Sequence, residues 1–109
     1  MRKQMIYTNT PTVPNREISE VLGVVTGNVV QTKHIGNDIL ASFKTIVGGE
    51  ISAYTDMLTE ARHKAISRMV EAALEMDADA IVSLRFTTSS IMKNASEILV
   101  YGTAVKLKA

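Results

Sequence analysis

The side chains best equipped for chemistry in this chain are two histidines, a scatter of carboxylates and one arginine set in a β-branched run. Glu60 and His63 stand in Glu-x-x-His spacing. On a helix, residues three apart can converge on one metal ion, as they do in di-iron bundles. A full site of that type needs further inward-facing carboxylates, whereas this pair shares a polar face with Arg62 and Lys64, so solvated helix surface is the plainer reading. His34 and Asp38 could also share a metal, and rotational symmetry multiplies weak ligands around an axis. A loop histidine beside a helix-capping aspartate explains them without one. Glu60, His63 and His34 therefore stand as metal candidates, and no metal site is assigned.

Gly48-Gly49-Glu50 precedes a helical pattern, where free backbone N–H groups can hold an anion. Only two glycines are present, and no Lys-Ser or Lys-Thr follows to complete a phosphate loop; a tight turn accounts for them. Arg85 lies inside a strand-like run and needs a partner, which Glu97, Glu50 or a group from a neighbouring copy could supply. These three residues, Arg85, Glu50 and Glu97, are the ligand-binding candidates, with an intersubunit ion pair as the structural alternative. No catalytic residue is assigned. With only His34 and His63 available no Ser-His-Asp order can be argued, and the many carboxylates are indistinguishable from surface charge. The residues point to no particular cofactor.

The rest of the composition limits the function classes. At 109 residues the chain makes one domain, spanning residues 1–109. A net charge of +1 and an aromatic share of 5% leave neither a phosphate-backbone footprint nor stacking platforms, so nucleic acid is not an expected partner. There is no cysteine, which removes disulfides, thiolate catalysis and every Cys-based metal site. No apolar run approaches the roughly 20 residues of a membrane span. Gln4, Thr8, Asn9 and Thr10 interrupt anything like a secretory leader, so the expected location is the cytoplasm, without a membrane partner.

Several elements would position these side chains. Residues 5–8 form a short edge strand or arm, ended by Pro11 and Pro14; residues 1–17 are the N-terminal arm. A long strand over 18–31 is apolar on both parities, with Gly23 and Gly27 on one face, where a bulge or a closely approaching backbone fits. Asp38 caps a short helix over about 39–47. Ile51, Tyr54, Leu58, Ala61, Ala65, Met69, Ala72 and Met76 then recur every three or four residues, which predicts one long helix over 50–76. Asp56, Glu60, His63, Lys64, Arg68, Glu71 and Glu75 fall on its polar face. Such a helix is about 40 Å long, against a diameter of roughly 34 Å for a compact monomer of this size, so it is expected to overhang its domain.

Two strands follow, about 80–90 and 96–107, turning at Lys93-Asn94. Pairing Met92 with Ala95 would set Ala80 opposite Leu107, Val82 opposite Val105, Leu84 opposite Thr103 and Phe86 opposite Tyr101 as the helix-covered face. Arg85 would then sit beside Gly102 on a small, mixed face suited to a subunit contact.

Gly48-Gly49-Glu50, Tyr54, Met57-Leu58, Ala61-Arg62, Arg68-Met69, Ala78-Asp79-Ala80, Arg85-Phe86 and Tyr101-Gly102-Thr103-Ala104-Val105 together resemble the YbjQ-like family over about residues 18–107. That family carries the label "putative heavy-metal-binding domain". The resemblance implies a dodecin-like β-α-β-β subunit assembled as a pentamer, and no reaction. Asp77 stands where the family often has glycine, which suggests a different helix exit. The lack of cysteine removes any thiolate metal ligand.

The expectation is an α+β, two-layer subunit, with an antiparallel sheet of at least three strands packed on one long helix, in a closed ring. Its partner is itself, as a homopentamer holding a small ligand or metal. A scaffolding ring acting through protein partners is the alternative, and an enzyme with a composite interface site the third reading.

Overall fold

The computed structural model describes residues 4–32, 46–47, 50–92 and 95–109. In chain order these form β1 (Ile6–Tyr7), β2 (Ile18–Thr32), β3 (Ile46–Val47), β4 (Glu50–Ile51), α1 (Ser52–Glu75), β5 (Ala80–Met92) and β6 (Ala95–Leu107). The helix expected over 39–47 lies outside the described residues up to 45. Its last two residues are strand instead, because Ile46 and Val47 pair antiparallel with Ile51 and Glu50.

The main sheet has four strands in the order β1-β5-β6-β2. It is mixed rather than wholly antiparallel, since β1 runs parallel to the start of β5, with Ile6 opposite Ala80 and Tyr7 opposite Ile81. The arm continues that pairing past β1: Leu84 N–H donates to the Thr8 carbonyl at 3.1 Å and Ser83 N–H to the Thr10 carbonyl at 2.9 Å.

Helix α1 contains no glycine or proline and is rich in Ala, Leu, Met, Glu, Lys and Arg, the residues that lose least on entering a helix. Its inner face is Ala61, Ala65, Met69 and Ala73, all buried. Ala73, rather than Ala72, carries the stripe in the last turns, and Met76 lies beyond the helix end and is exposed. The seven polar-face residues from Asp56 to Glu75 are all exposed, as their spacing predicts.

The alanine face lets α1 lie directly on β2 at Gly27. A Cβ at Gly27 would overlap the Ala65 carbonyl oxygen and sit 2.6 Å from the Met69 amide nitrogen. Gly23, by contrast, has φ +143° beside a register shift between Val21 and Gly23. The two glycines thus do the two jobs their shared face suggested, a bulge and a close backbone approach.

The expected register holds only at the hairpin end. Met92 does pair with Ala95, but shifts at Ser90/Met92 and Val82/Arg85 leave Ala80 opposite Val105, Val82 opposite Thr103 and Arg85 opposite Tyr101. Ser83 takes φ +55° in the second irregularity. Each one-residue shift exchanges the faces of β5 relative to β6, because side chains alternate with a period of two, and the two together leave Ala80 and Val82 on one face with Val105, as expected; that face is not the one the helix covers. The helix covers Ile81, Ile98, Val100 and Ala104 together with Val25 and Val29. Ala80, Val82, Val105 and Leu107 belong to a second cluster on the other face, packed by Val13 and Ile18.

At its C-terminal end α1 closes with Ala78 N–H donating to the Ala73 carbonyl and Asp77 N–H to the Leu74 carbonyl, the bond pair of a Schellman motif. Asp77 occupies the left-handed position with φ +59°. The exit is therefore the one a glycine would give, and not a different one; the exposed Asp77 carboxylate meets Lys106 Nζ at 2.8 Å.

The molecule measures 54 × 27 × 27 Å. Its long axis exceeds the length of α1, about 36 Å at 1.5 Å per residue, so the expected overhang of the helix does not hold. The strands set the length: fifteen residues in β2 at about 3.3 Å each span some 50 Å. What outreaches its cover is sheet.

Candidate functional site

The face of the sheet turned away from α1 divides into two parts. At the closed end, Val13 and Ile18 pack over Val82 and Val105. Further along, the face is open and mixed. Thr26, Tyr101 and Arg85 form one cross-strand row, Asn28, Leu99 and Thr87 the next, and Val30, Glu97 and Ser89 a third. Arg85 stands beside Tyr101 rather than Gly102, because of the register shift between Ser90 and Met92. Val24 and Val30 are 71% and 54% exposed at the two ends of this polar strip.

The structure places the sequence candidates as follows. Arg85 Nη1 donates to the Asn9 carbonyl at 3.0 Å and to the Leu84 carbonyl at 2.9 Å, fastening the arm to β5. Glu97 Oε2 accepts from Asn28 Nδ2 at 3.1 Å. Arg85 and Glu97 share a face, but their rows are four residues apart along β6, roughly 13 Å, so they are not brought together. Glu50 lies in β4.

Glu60 and His63 are both exposed on α1. Glu60 borders a cleft of about 290 Å³, counting space open to solvent, with Gln31, Met57, Ala61 and Lys64; His63 does not line it. His34 and Asp38 lie outside the described residues. Among the described residues no three His, Asp or Glu side chains gather as a metal would require. The whole chain has no cysteine, so these donors do not fit a soft heavy-metal ion. Among the described residues no helix is long and apolar enough to cross a membrane.

Sequence reasoning missed Asn9, Asn28 and the Met57 and Gln31 walls of the cleft. Asn28 was detectable in principle, since it shares strand parity with the exposed Val24 and Val30. Asn9 was not, because its link to Arg85 spans 76 residues and no local pattern encodes it.

A family model described as "Putative heavy-metal-binding" matches residues 5–108. The chain belongs to the YbjQ family. Relatives named UPF0145 protein match it over nearly its whole length. One from Vibrio campbellii is 65% identical over 94% of this chain and 99% of its own length. Another, from Archaeoglobus fulgidus, is 56% identical over 99% of this chain and 100% of its own length. Among solved structures, a protein of unknown function of the DUF74 family from Pediococcus pentosaceus superposes with a TM-score of 0.69 at 16% identity. That match covers 95% of this chain and 98% of the other, and it establishes a shared fold. The YbjQ description names heavy metals, and the donors in this protomer do not form such a site.

Proposed function

We propose that the protein is the repeating subunit of a closed homo-oligomeric ring, a homopentamer in the cytoplasm, that holds a small ligand or a metal ion where copies meet. The observation that carries this reading is the surface a lone chain leaves in water. Its accessible area is 7291 Å², against about 5,950 Å² for a compact monomer of this mass. Val21, Val24, Val30, Phe86, Ile91, Met92 and Tyr101 are exposed along the strands. Apolar surface distributed over extended strands is covered most economically by another copy of the same molecule.

The polar strip of Thr26, Asn28, Arg85, Glu97 and Tyr101 then supplies hydrogen-bonding groups at the rim of the buried zone, where interfaces hold small ligands. A metal in such a ring would draw on oxygen and nitrogen donors from several copies, Glu60 and His63 among them, because no thiolate is available.

Native mass spectrometry of freshly purified protein, followed by elemental analysis, tests the reading. It predicts a discrete multiple of the 11.9 kDa chain with a retained small molecule or ion at fixed stoichiometry. A ring carrying nothing at any stoichiometry would contradict the ligand half. The alternative, a scaffolding ring acting through protein partners, is favoured by the exposed charged face of α1, from Asp56 to Glu75. It predicts a co-purifying protein lost on changing Arg62, Lys64 or Glu71.

A further inference from the structure

Helix α1 meets β2 most closely at Gly27, where Ala65 and Met69 lie against the strand backbone. The two elements continue together toward the start of α1, with Val29 still buried in the core they share. Gln31 takes the next position of the same parity on β2, so an amide stands where the row Val25, Gly27 and Val29 has only apolar groups. One and two turns before Ala65, Ala61 and Met57 approach it from α1. Here the packing opens into the cleft of about 290 Å³, counting space open to solvent, that Gln31, Met57, Glu60, Ala61 and Lys64 line.

Three polar heads border this cleft: a carboxylate, an ammonium and a carboxamide. Glu60 and Lys64 are four residues apart, in the order that favours an ion pair on a helix. They do not meet, and among the described residues neither side chain has a hydrogen-bond or ion-pair partner. The Gln31 side chain has none either. Met57 and Ala61 supply the apolar part of the wall. Apolar wall with a few convergent polar groups is the make-up of a small-molecule site, and the volume lies just below the range that drug-sized ligands need.

The charges decide what kind of molecule fits. Lys64 opposes a bare cation and Glu60 a bare anion, whereas a molecule carrying both charges finds a partner for each. We propose that the cleft binds a small zwitterion, a free α-amino acid with a short apolar side chain. Its carboxylate accepts from Lys64 Nζ, its ammonium donates to the Glu60 carboxylate, and its side chain lies on Ala61 and Met57. The Gln31 amide both donates and accepts, so it serves either end. Cβ atoms four residues apart on a helix are about 5–6 Å apart, a span that the two ends of one amino acid bridge between flexible side chains. Every lining group comes from a single chain, so the inference goes beyond the ring reading and does not depend on it.

The chain's six methionines make the cleft visible to methyl NMR. The full chain, labelled at its methionine methyl groups, is titrated with L-valine at pH 7, and Met57→Leu assigns the Met57 signal. A saturable shift is expected at Met57, while Met69 in the core and Met92 at the hairpin end stay still. N-acetyl-L-valine lacks the ammonium and L-valinamide lacks the carboxylate. Each is expected to bind wild type about fivefold more weakly than L-valine, the upper worth of an exposed ion pair. Glu60→Gln should erase the difference between L-valine and N-acetyl-L-valine, and Lys64→Gln the difference between L-valine and L-valinamide. Both positions are exposed on α1, and far-UV circular dichroism checks each fold. The comparison of the three ligands on wild type decides the matter even where a variant does not fold. A Met57 signal that does not saturate, equal affinity for all three ligands, or preferences unchanged in the folded variants would overturn the inference.

Discussion

Gly27 offers the sharpest perturbation of the fold, because the atoms above it belong to the helix backbone and cannot rotate away. Ordinary contact for a Cβ is 3.4–4 Å, and the Gly27→Ala methyl would meet Met69 N at 2.6 Å and overlap the Ala65 carbonyl. Relief requires α1 to lift by about 1 Å, and a gap of that size forfeits a quarter to a half of each van der Waals contact along the seam. The seam is the buried row Ala61, Ala65, Met69 and Ala73 over Val25 and Val29. Overpacking of a core costs about 1–3 kcal/mol, and rigid opposing atoms put this case at the upper end, about 3 kcal/mol. With a urea slope of about 1.5 kcal/mol/M for a chain of this size, the midpoint should fall by about 2 M at matched protein concentration, read by far-UV circular dichroism. Adding Ala65→Gly should not rescue it, because the clash is with the carbonyl rather than the methyl. A Gly27→Ala midpoint equal to wild type, or full rescue by Ala65→Gly, would refute the close docking of α1 on β2.

Three further outcomes follow from the same structure. Asp77→Gly should leave stability within about 0.5 kcal/mol, since relief of the left-handed backbone offsets the loss of an exposed ion pair; Asp77→Val should cost about 1–2 kcal/mol, both read by urea unfolding. Met69→Ala empties a fully buried position and should cost about 2–5 kcal/mol in the same assay, whereas Thr87→Ala on the exposed outer strand should change little. Cadmium added in excess and then removed by desalting should leave less than one ion per chain by elemental analysis, because the chain has no cysteine; stoichiometric retention would mean that a soft-metal site exists.

The sequence carried the elements well and their pairing less well. The helix was legible because Ala61, Ala65 and Met69 repeat at helical spacing over a charged opposite face, and β2, β5 and β6 because β-branched residues cluster between turn residues. The register was not, because nothing in the sequence announces the two one-residue shifts, at Ser90/Met92 and at Val82/Arg85 where Ser83 adopts a positive φ, and each exchanges the faces of β5 relative to β6. A sphere is the wrong reference for the length of α1, because strands rise about twice as far per residue as the helix. Of the candidate site residues, Arg85 and Glu97 were identifiable as charges in strands that need partners. Their partners, the Asn9 carbonyl and the Asn28 amide, lie on remote strands and arms that only the folded register brings near.

The central claim is that this elongated chain does not persist alone, and sedimentation velocity at micromolar concentration tests it most directly. The account predicts one discrete species at a multiple of 11.9 kDa, five chains in the proposed ring, with no lone protomer remaining. A stable, compact species of one chain across that concentration range would contradict it.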